Sequence, residues 1–391
     1  MFLDITYKRN PNLIKTAFQL HQEGKIYPNT YVLDIDAIKH NAEIIKKEAD
    51  KYDLNLYMMT KQIGRNPEIA KKISECGIDR VVAVDPWEAI TLGKAGLKLG
   101  NVGHLVQIPT HMIREILILK PEVITVFTVE KAAEISKEAE KLGIIQDIMM
   151  KVIDDNDLVY EGQEGGFKLN LLSESVKKIN EFRNVKIVGI TAFPCFLYNE
   201  ETGDIEKTKN VDTLLKGAKI IEENFEIQLK QLNFPSANST FSMKLIKENG
   251  GNYGEPGHAF TGTTPIHANK LVGEIPAMVY VSEISHCYEN KAYVYGGGFY
   301  RRSNVKKAMV GKNFEEGRNN ILKAEKIHPE YIDYYGTLLI DDKKAHVGDT
   351  VIYAFRTQIF VTRSQVALVK GIQEGNIRLM GIYDNLGKRI K

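Results

Sequence analysis

Cysteine is scarce in this sequence, which has only Cys76, Cys195 and Cys287 among its 391 residues. Three scattered thiols are too few for a disulfide framework or for a four-thiolate zinc site. The nine histidines are equally scattered, and none forms the H-x-x-x-H pattern that is typical of zinc enzymes. We therefore expect no metal site and a cytoplasmic location.

Long apolar runs and an excess of one charge are also lacking. No apolar run approaches the roughly 18 residues needed to span a bilayer, and Met1–Thr6 contains an acid where a signal peptide needs basic and apolar residues. The net charge is +2, from 52 Lys and Arg against 50 Asp and Glu that are interspersed along the chain. This balance argues against binding to nucleic acid or to a membrane surface.

The first two thirds of the chain alternate short apolar strand candidates with amphipathic helical segments. This alternation predicts a parallel sheet, and eight such units favour a closed (β/α)8 barrel of the TIM type over an open sheet. A ninth candidate strand, Asn252–Glu255, leaves open that Tyr31–Ile35 belongs to another layer. The eight strand candidates begin near Tyr31, Asn55, Arg80, Val102, Glu122, Asp147, Lys186 and Gln231. The helical candidates are Asp36–Tyr52, Asn66–Cys76, Pro86–Ala95, Thr110–Leu119, Val129–Leu142 and Asn210–Phe225.

After about Gly273 the pattern changes to alternating segments of period two, which predicts a mainly antiparallel β domain. We predict an N-terminal helical extension over 1–29 with a helix at Asn12–Glu23, a barrel over 30–272 and the β-rich domain over 273–391. Within the last, Arg301–Lys326 is polar and basic, which indicates a surface connection with some helix. The strand candidates of this domain are Pro276–His286, Lys291–Tyr295, Thr337–Ile340, Asp349–Phe355 and Ile359–Val369.

Lys61 directly follows a predicted buried strand, at the strand end where parallel α/β folds place their chemistry. A desolvated lysine amine can form an imine with an aldehyde. Two loops late in the barrel, Ser236–Thr240 and Gly254–Pro265, have the small residues that let backbone N–H groups approach a phosphate. Each loop alone is equally consistent with an ordinary hydrophilic turn.

Taken together, the motifs Asp34–Asp36, Thr60–Lys61, Ala237–Ser239 and Pro256–Gly257, in this order and spacing, resemble those of the alanine-racemase-like, fold-type III pyridoxal-phosphate enzymes. The resemblance spans roughly residues 31–300 and implies a barrel that binds pyridoxal 5'-phosphate.

The resemblance assigns roles to individual residues. Lys61 would hold the cofactor covalently and move a proton on one face of the substrate α-carbon. Ser239 would bind the cofactor phosphate together with the backbone N–H groups of Gly257 and His258. Arg65 lies where the family often has a phosphate-binding tyrosine; it is otherwise an exposed residue at a helix start.

One departure concerns Glu255, because alanine racemase has an arginine there against the pyridine nitrogen. A carboxylate holds a proton on that nitrogen and strengthens the ring as an electron sink, as in the fold-type III decarboxylases. The alternative is a surface glutamate in a turn.

Other departures lie at Ala192, where the family has a histidine that stacks on the cofactor ring, and at Lys151, which matches a family lysine that can be carbamylated but lacks the arginine that normally follows. Cys195 is either at the mouth of the site or, as we favour, buried and inert.

In the second domain, the turn Tyr295–Tyr300 resembles the one that carries the opposite-face tyrosine base of the racemases. A phenol with a pKa near 10 needs help from its neighbours to act as a base, and Arg301 and Arg302 are adjacent to it. Tyr300 fits the family spacing slightly better than Tyr295, and either is otherwise an ordinary strand aromatic. In the family this tyrosine reaches the other subunit, which implies a head-to-tail homodimer.

Two arginines near the C-terminus, Arg356 and Arg363, are candidates for contacting a substrate carboxylate. The surrounding strands loosely resemble those of D-serine-dehydratase-like proteins but lack their zinc-binding His and Cys.

The leading hypothesis is a racemase of a free amino acid that depends on pyridoxal 5'-phosphate and uses Lys61 and Tyr300 on opposite faces of Cα. A decarboxylase, or a D-amino-acid aldolase or lyase of the same fold, is the enzymatic alternative. Two other hypotheses are a non-catalytic protein that controls supply of the cofactor, and a barrel enzyme that does not use it. The sequence does not identify the substrate side chain.

Overall fold

The computed structural model describes residues 1–391 except Arg301, Asn304, Ile327 and Pro329. The chain packs into two compact units, each built from separate segments. The barrel unit contains Glu43–Thr60 and Ile73–Gly257, and the C-terminal unit contains Met1–Ala42, Lys61–Lys72 and His258–Lys391. The predicted boundaries at 29/30 and 272/273 divide the chain into contiguous pieces and stay a prediction.

Helices and strands alternate through the first two thirds of the chain, and strands predominate in the last third. The α-helices of the described residues are α1 (Phe2–Arg9), α2 (Pro11–Gln22), α3 (Ile35–Asp50), α4 (Pro67–Ser74), α5 (Pro86–Lys94), α6 (Ile113–Ile118), α7 (Val129–Leu142), α8 (Leu172–Asn180), α9 (Lys209–Phe225), α10 (Met243–Glu248) and α11 (Phe314–Asn319). The strands to the end of the barrel are β1 (Thr30–Asp34), β2 (Asn55–Met59), β3 (Arg80–Ala83), β4 (Lys98–Val102), β5 (Val123–Val126), β6 (Gln146–Ile153), β7 (Phe167–Lys168), β8 (Val185–Thr191), β9 (Phe196–Asn199), β10 (Asp204–Lys207), β11 (Gln231–Asn233) and β12 (Tyr253–Gly254). The remaining strands are β13 (Met278–Tyr288), β14 (Lys291–Tyr295), β15 (Lys307–Gly311), β16 (Ile321–Ala324), β17 (Tyr335–Leu339), β18 (Thr350–Tyr353), β19 (Gln365–Lys370) and β20 (Arg378–Asp384).

Eight parallel strands close the barrel unit, in the order β2, β3, β4, β5, β6, β8, β11, β12 and back to β2. The predicted TIM-type barrel is therefore confirmed. The helices of this unit begin at the expected local signals. Asp85 caps α5 by accepting a hydrogen bond from the Glu88 N–H (2.9 Å), and Pro86 is the first residue of that helix. In the same way Thr128 caps α7, and Gly143 ends that helix in the left-handed conformation.

The C-terminal unit is built on an antiparallel ring in the order β13, β14, β17, β16, β15, β18 and back to β13. Strand β1 extends this sheet by pairing antiparallel with β13 and parallel with β19, and β20 completes its edge. Helix α2 packs on the sheet through Leu13, Ile14 and Phe18. The mainly antiparallel C-terminal domain is thus confirmed.

Two details differ from the sequence-based expectations. Tyr31–Ile35 overlaps β1, which belongs to the C-terminal sheet and not to the barrel, as the ninth strand candidate had left open. The segment Arg301–Lys326 is more than a surface connection, because it contributes β15 and β16 to the antiparallel ring besides helix α11.

Among the described residues, no helix has both the length and the apolar character required to cross a membrane.

Candidate active site

Lys61 begins a short 3-10 helix, Lys61–Ile63, that follows β2 after a single residue. Its side chain is buried, with 8% of the residue exposed. The end of β2 is fixed within the barrel unit by the Met59 N–H, which donates to the Pro256 carbonyl (2.9 Å) just past β12. The sequence thus attaches a buried amine to the carboxyl end of a barrel strand, as predicted.

His258 lies in the C-terminal unit and has both ring nitrogens engaged. Nε2 donates to the Thr357 carbonyl oxygen (2.9 Å), so Nδ1 is left to accept from the Gln62 amide (3.3 Å). Burial lowers the pKa of His258 well below its usual value, and the positive charges of Arg356, Lys61 and Arg302 lower it further. The imidazole is therefore neutral and is surrounded by cations.

Tyr300 is linked to this cationic group through Arg302. The Arg302 Nε–H donates to the Tyr300 hydroxyl oxygen (3.2 Å), and the Gln358 amide lies 3.4 Å from the same oxygen. The backbone of Tyr300 is held by Ser303, whose Oγ accepts from the Tyr300 N–H (3.1 Å) and donates to the Tyr300 carbonyl. The charges of Lys61 and Arg302 thus both act on His258, and Arg302 contacts the Tyr300 hydroxyl, all within the C-terminal unit.

Tyr295 has a different environment. It ends β14, its residue is 40% exposed, and its ring contacts Tyr335 with 6.0 Å between the centroids. This is the setting of a surface strand aromatic. The neighbouring Arg301 lies outside the described residues.

Arg65 is buried, with 4% of the residue exposed, and has a left-handed backbone (φ 52°). Its guanidinium carbon stacks 4.7 Å from the centroid of the Phe360 ring. The alternative of an exposed helix-start residue is therefore wrong, because the side chain is enclosed.

Glu255 lies in the barrel unit directly after β12 and is 4% exposed. Its Oε1 accepts hydrogen bonds from the side-chain amides of Asn101 (3.1 Å) and Asn233 (2.6 Å). Thr125 donates to the oxygen of Asn101 (2.7 Å), which turns the Asn101 amide nitrogen toward the glutamate. The other carboxylate oxygen lies 3.4 Å from His104 Nε2. A surface turn glutamate is therefore excluded.

The Ser239 hydroxyl is fully buried in the barrel unit and has no hydrogen-bond partner among the described residues. Its loop is strained, because Ser236 (φ 88°) and Ala237 (φ 49°) adopt left-handed backbone conformations. A buried hydroxyl without a partner costs free energy, so it indicates a ligand group at this position.

The backbone N–H groups of Gly257 and His258 likewise donate to no acceptor in the described part of the chain. The Glu255 N–H, in contrast, donates to the Asn238 side chain (2.6 Å). Gly257 is buried. Two neighbouring N–H groups left open in this way can bind an anion.

Lys151 is buried near the end of β6, where its amine donates to the Gln163 carbonyl (3.1 Å) and lies 4.4 Å from the centroid of the Phe127 ring. Burial lowers the pKa of Lys151 to about 8, although the charge of Glu164 acts in the opposite direction. The amine therefore keeps its proton for most of the time at neutral pH and loses it as the pH rises past about 8.

Cys195 is fully buried, and burial raises the pKa of its thiol well above the usual value. The expected burial of Cys195 is confirmed, and a thiol with a raised pKa is a poor nucleophile. Next to Ala192, the Phe193 ring packs edge-on against His104, with 5.6 Å between the centroids.

The Arg363 guanidinium donates a hydrogen bond to the Asp333 carbonyl oxygen, and both residues lie in the C-terminal unit.

Within the described residues, no group of three or more His, Cys, Asp or Glu side chains is arranged to hold a metal ion.

Comparison with known proteins identifies the family. The model of the alanine racemase N-terminal domain matches residues 33–265, and that of a YhfX-like C-terminal domain matches residues 279–379. The chain belongs to the alanine racemase N-terminal domain family. It is 41% identical over 392 residues, covering 100% of both chains, to the uncharacterized protein YhfX of Escherichia coli (strain K12).

Solved structures agree on the fold. The alanine racemase of Clostridium difficile 630 in complex with cycloserine has a TM-score of 0.64 at 18% identity, covering 92% of this chain and 99% of that one. The diaminopimelate decarboxylase from M. jannaschii in complex with L-lysine has a TM-score of 0.63 at 12% identity, covering 96% and 92%. These are fold-type III enzymes with different activities, so the fold alone does not select one reaction.

Sequence reasoning missed the side chains that hold Glu255, namely Asn101, Asn233 and His104. A signal was present, since Asn101 is a polar residue among the buried positions of strand β4 and is itself fully buried. A buried polar residue in a barrel strand requires a partner, but the sequence does not say which one.

Proposed function

We propose that this protein is a racemase of a free amino acid that depends on pyridoxal 5'-phosphate. The observation that carries the proposal is the buried Lys61 amine, which follows barrel strand β2 after a single residue. Family members bind this cofactor, and the described residues fit it. It supplies a site that stabilises negative charge on the substrate α-carbon.

The described residues offer a matching group for the phosphate, the ring nitrogen and the aldehyde of the cofactor. The unpartnered Ser239 hydroxyl and the open N–H groups of Gly257 and His258 suit its phosphate. Glu255, held by two amides, suits its ring nitrogen. Lys61 supplies the amine for its aldehyde. Arg65 remains a candidate phosphate ligand.

The protein's own groups would then move protons. Lys61 would take or return the proton on one face of Cα and Tyr300 on the other. The hydrogen bond from Arg302 to the Tyr300 oxygen fixes the hydroxyl and leaves its proton available for transfer. The exposed Tyr295 lacks such a partner among the described side chains and is the weaker candidate.

We also propose a head-to-tail homodimer in the cytoplasm, because the opposite-face tyrosine of the family acts on the other subunit. The partner is a small amino-acid substrate, and nucleic acid and membranes have no part in the proposal.

The test is exchange of the Cα hydrogen in deuterated buffer, followed by NMR over a panel of L- and D-amino acids. We expect exchange for one class of amino acid, with conversion to the opposite enantiomer. Lys61→Ala should abolish exchange and Tyr300→Phe should suppress it for one enantiomer first, whereas Tyr295→Phe should retain it. Exchange without change of configuration would contradict racemisation.

A second candidate is a decarboxylase, which Glu255 favours. Asn101 and Asn233 both donate to one of its oxygens, which stabilises the ionised carboxylate that would keep a proton on the ring nitrogen. Release of carbon dioxide from an amino acid, with an amine as product, would establish it. An aldolase or lyase would instead release an aldehyde or a keto acid.

A non-catalytic cofactor-supply protein is disfavoured by the complete C-terminal unit, since its single-domain relatives lack one. Cofactor binding without Cα exchange on any amino acid would support it. A barrel enzyme without the cofactor would show no absorbance band that depends on Lys61.

A further inference from the structure

A cleft of about 670 Å³ opens in the C-terminal unit beside Tyr300. This volume is in the range of small-molecule sites. The lining side chains that bear on its chemistry are Tyr300, Arg302, Lys306, Lys323, Glu325 and Lys326. We name it the basic cleft.

The three lysines of the basic cleft are not neutralised by an acid among the described residues that line it. Glu325 is engaged by Lys291 of β14, with its oxygens 2.9 and 3.0 Å from the lysine amine. In the described part of the chain, no carboxylate lies within ion-pair distance of Lys306, Lys323 or Lys326. Uncompensated cations around a concave surface concentrate positive potential and attract anions.

The strand register adds to this charge. Lys323 on β16 lies directly opposite Lys307 on β15, and like charges in this arrangement are destabilising. The charge of Lys307 is neutralised by Asp4, whose Oδ1 lies 2.6 Å from the lysine amine, but Asp4 does not line the basic cleft. An anion bound in the cleft would relieve Lys323.

Tyr300 connects the basic cleft to the proposed chemistry, because it lines the cleft and its hydroxyl is bonded to Arg302. Ser303 holds the Tyr300 backbone through two hydrogen bonds, so this wall is fixed. We propose that the basic cleft binds an anionic group on the substrate side chain, a carboxylate or a phosphate. The substrate class is then an acidic or phosphorylated amino acid, an inference that rests on the proposed function.

The test is binding to the full chain prepared with its cofactor, measured by isothermal titration calorimetry. The probes are L-glutamate and O-phospho-L-serine, compared with L-alanine and L-lysine. We expect one of the two anionic probes to bind at least about tenfold more tightly than L-alanine, because charged hydrogen bonds each contribute measurably. The stronger of the two identifies carboxylate or phosphate as the preferred group.

The variant Lys323→Gln/Lys326→Gln should weaken that preferred binding about tenfold, since it removes two exposed charges. Lys370→Gln, an exposed lysine that does not line the basic cleft, should change it less than about twofold. Thermal unfolding of each variant verifies that it is folded.

The outcomes separate the two proposals. In one outcome, wild type prefers anionic probes, Lys323→Gln/Lys326→Gln loses this preference, and no amino acid undergoes Cα exchange. This outcome supports anion binding in the basic cleft and overturns the racemase proposal. Cα exchange on neutral amino acids at a rate unchanged in that variant supports the racemase and overturns the basic cleft as substrate site. Loss of anion binding in Ser239→Ala, but not in the lysine variant, also overturns it, because the probe then occupies the cofactor phosphate position.

Discussion

Buried polar groups carry most of the information at the scale of single residues. Glu255 is held in the barrel unit by amides of Asn101 and Asn233, whereas the buried hydroxyl of Ser239 has no partner among the described residues. Each residue keeps one buried oxygen without a hydrogen-bond partner in the described part of the chain, Oε2 of Glu255 and the hydroxyl of Ser239.

The first prediction concerns Ser239. Ser239→Ala should weaken binding of pyridoxal 5'-phosphate about tenfold to a hundredfold, because a hydrogen bond to a charged group contributes about 1.5–3 kcal/mol. Fluorescence titration of the apoprotein measures the change. Ser285→Ala, a serine of the C-terminal sheet, is the control and should bind normally. Equal affinities for the two variants would remove Ser239 from the phosphate site.

The second prediction follows from Lys151, whose pKa is lowered by burial to about 8. The unfolded chain holds this proton up to a pKa near 10.4, so between these values the unfolded state binds more protons and the fold gains stability as pH rises. Wild type should therefore gain in unfolding free energy relative to Lys151→Met between pH 7.5 and pH 9.5. Urea unfolding at both pH values measures this, and a difference that does not change with pH would contradict the burial argument.

The sequence pointed to candidate site residues in short loop motifs, such as Lys61, Ser239 and Glu255, and their roles stay a prediction. It did not predict His104 or Asn101, because their role depends on which barrel strands become neighbours in space. Nor could it decide between Tyr295 and Tyr300, since exposure and the Arg302 contact follow from the fold of a turn.

At the scale of elements, the segment that carries Lys61 is held by close packing in the C-terminal unit. Gly64 follows the 3-10 helix with φ 68°, and a Cβ there would meet Val366 Cγ2 at 2.9 Å and Ile359 Cγ2 at 3.2 Å. The position therefore requires glycine for both its backbone and its space.

The third prediction compares Gly64→Ala with Gly24→Ala. Gly24 has almost the same backbone angle (φ 67°) but open space around it, so it isolates the backbone cost. We expect Gly24→Ala to cost about 1 kcal/mol and Gly64→Ala about 2–4 kcal/mol, since overpacking adds to the strain. Urea unfolding of both variants measures the difference. Equal losses would mean that the neighbours of Gly64 yield freely.

Elements with strong local signals were predicted closely. The helix predicted over Val129–Leu142 matches α7, with its Thr128 cap and its final Gly143. Strands β15 and β16 were missed because the basic run around them has no clear period of two, and because β15 also pairs with the distant β18. Such strands are determined by sheet closure and not by local sequence.

At the scale of the whole molecule, comparison with known proteins shows the family, and the structure shows two compact units. The homodimer is a proposal. If Tyr300 acts on the partner subunit, the active form is a dimer.

The fourth prediction is a solution mass of twice 44.2 kDa for the purified protein. Sedimentation equilibrium at micromolar concentration measures it. A monomer that still catalyses exchange of the substrate Cα hydrogen would show that Tyr300 of the same chain suffices. It would contradict the proposal that Tyr300 acts at the site of the partner subunit.

The central claim is that the Lys61 amine binds pyridoxal 5'-phosphate covalently. Borohydride reduction of the purified protein, followed by peptide mass spectrometry, tests it most directly. We expect a pyridoxyl-phosphate adduct on the peptide containing Lys61 and none on that peptide in Lys61→Ala. An unmodified Lys61 after reduction of protein saturated with the cofactor, or an adduct confined to another lysine such as Lys151, would contradict the claim.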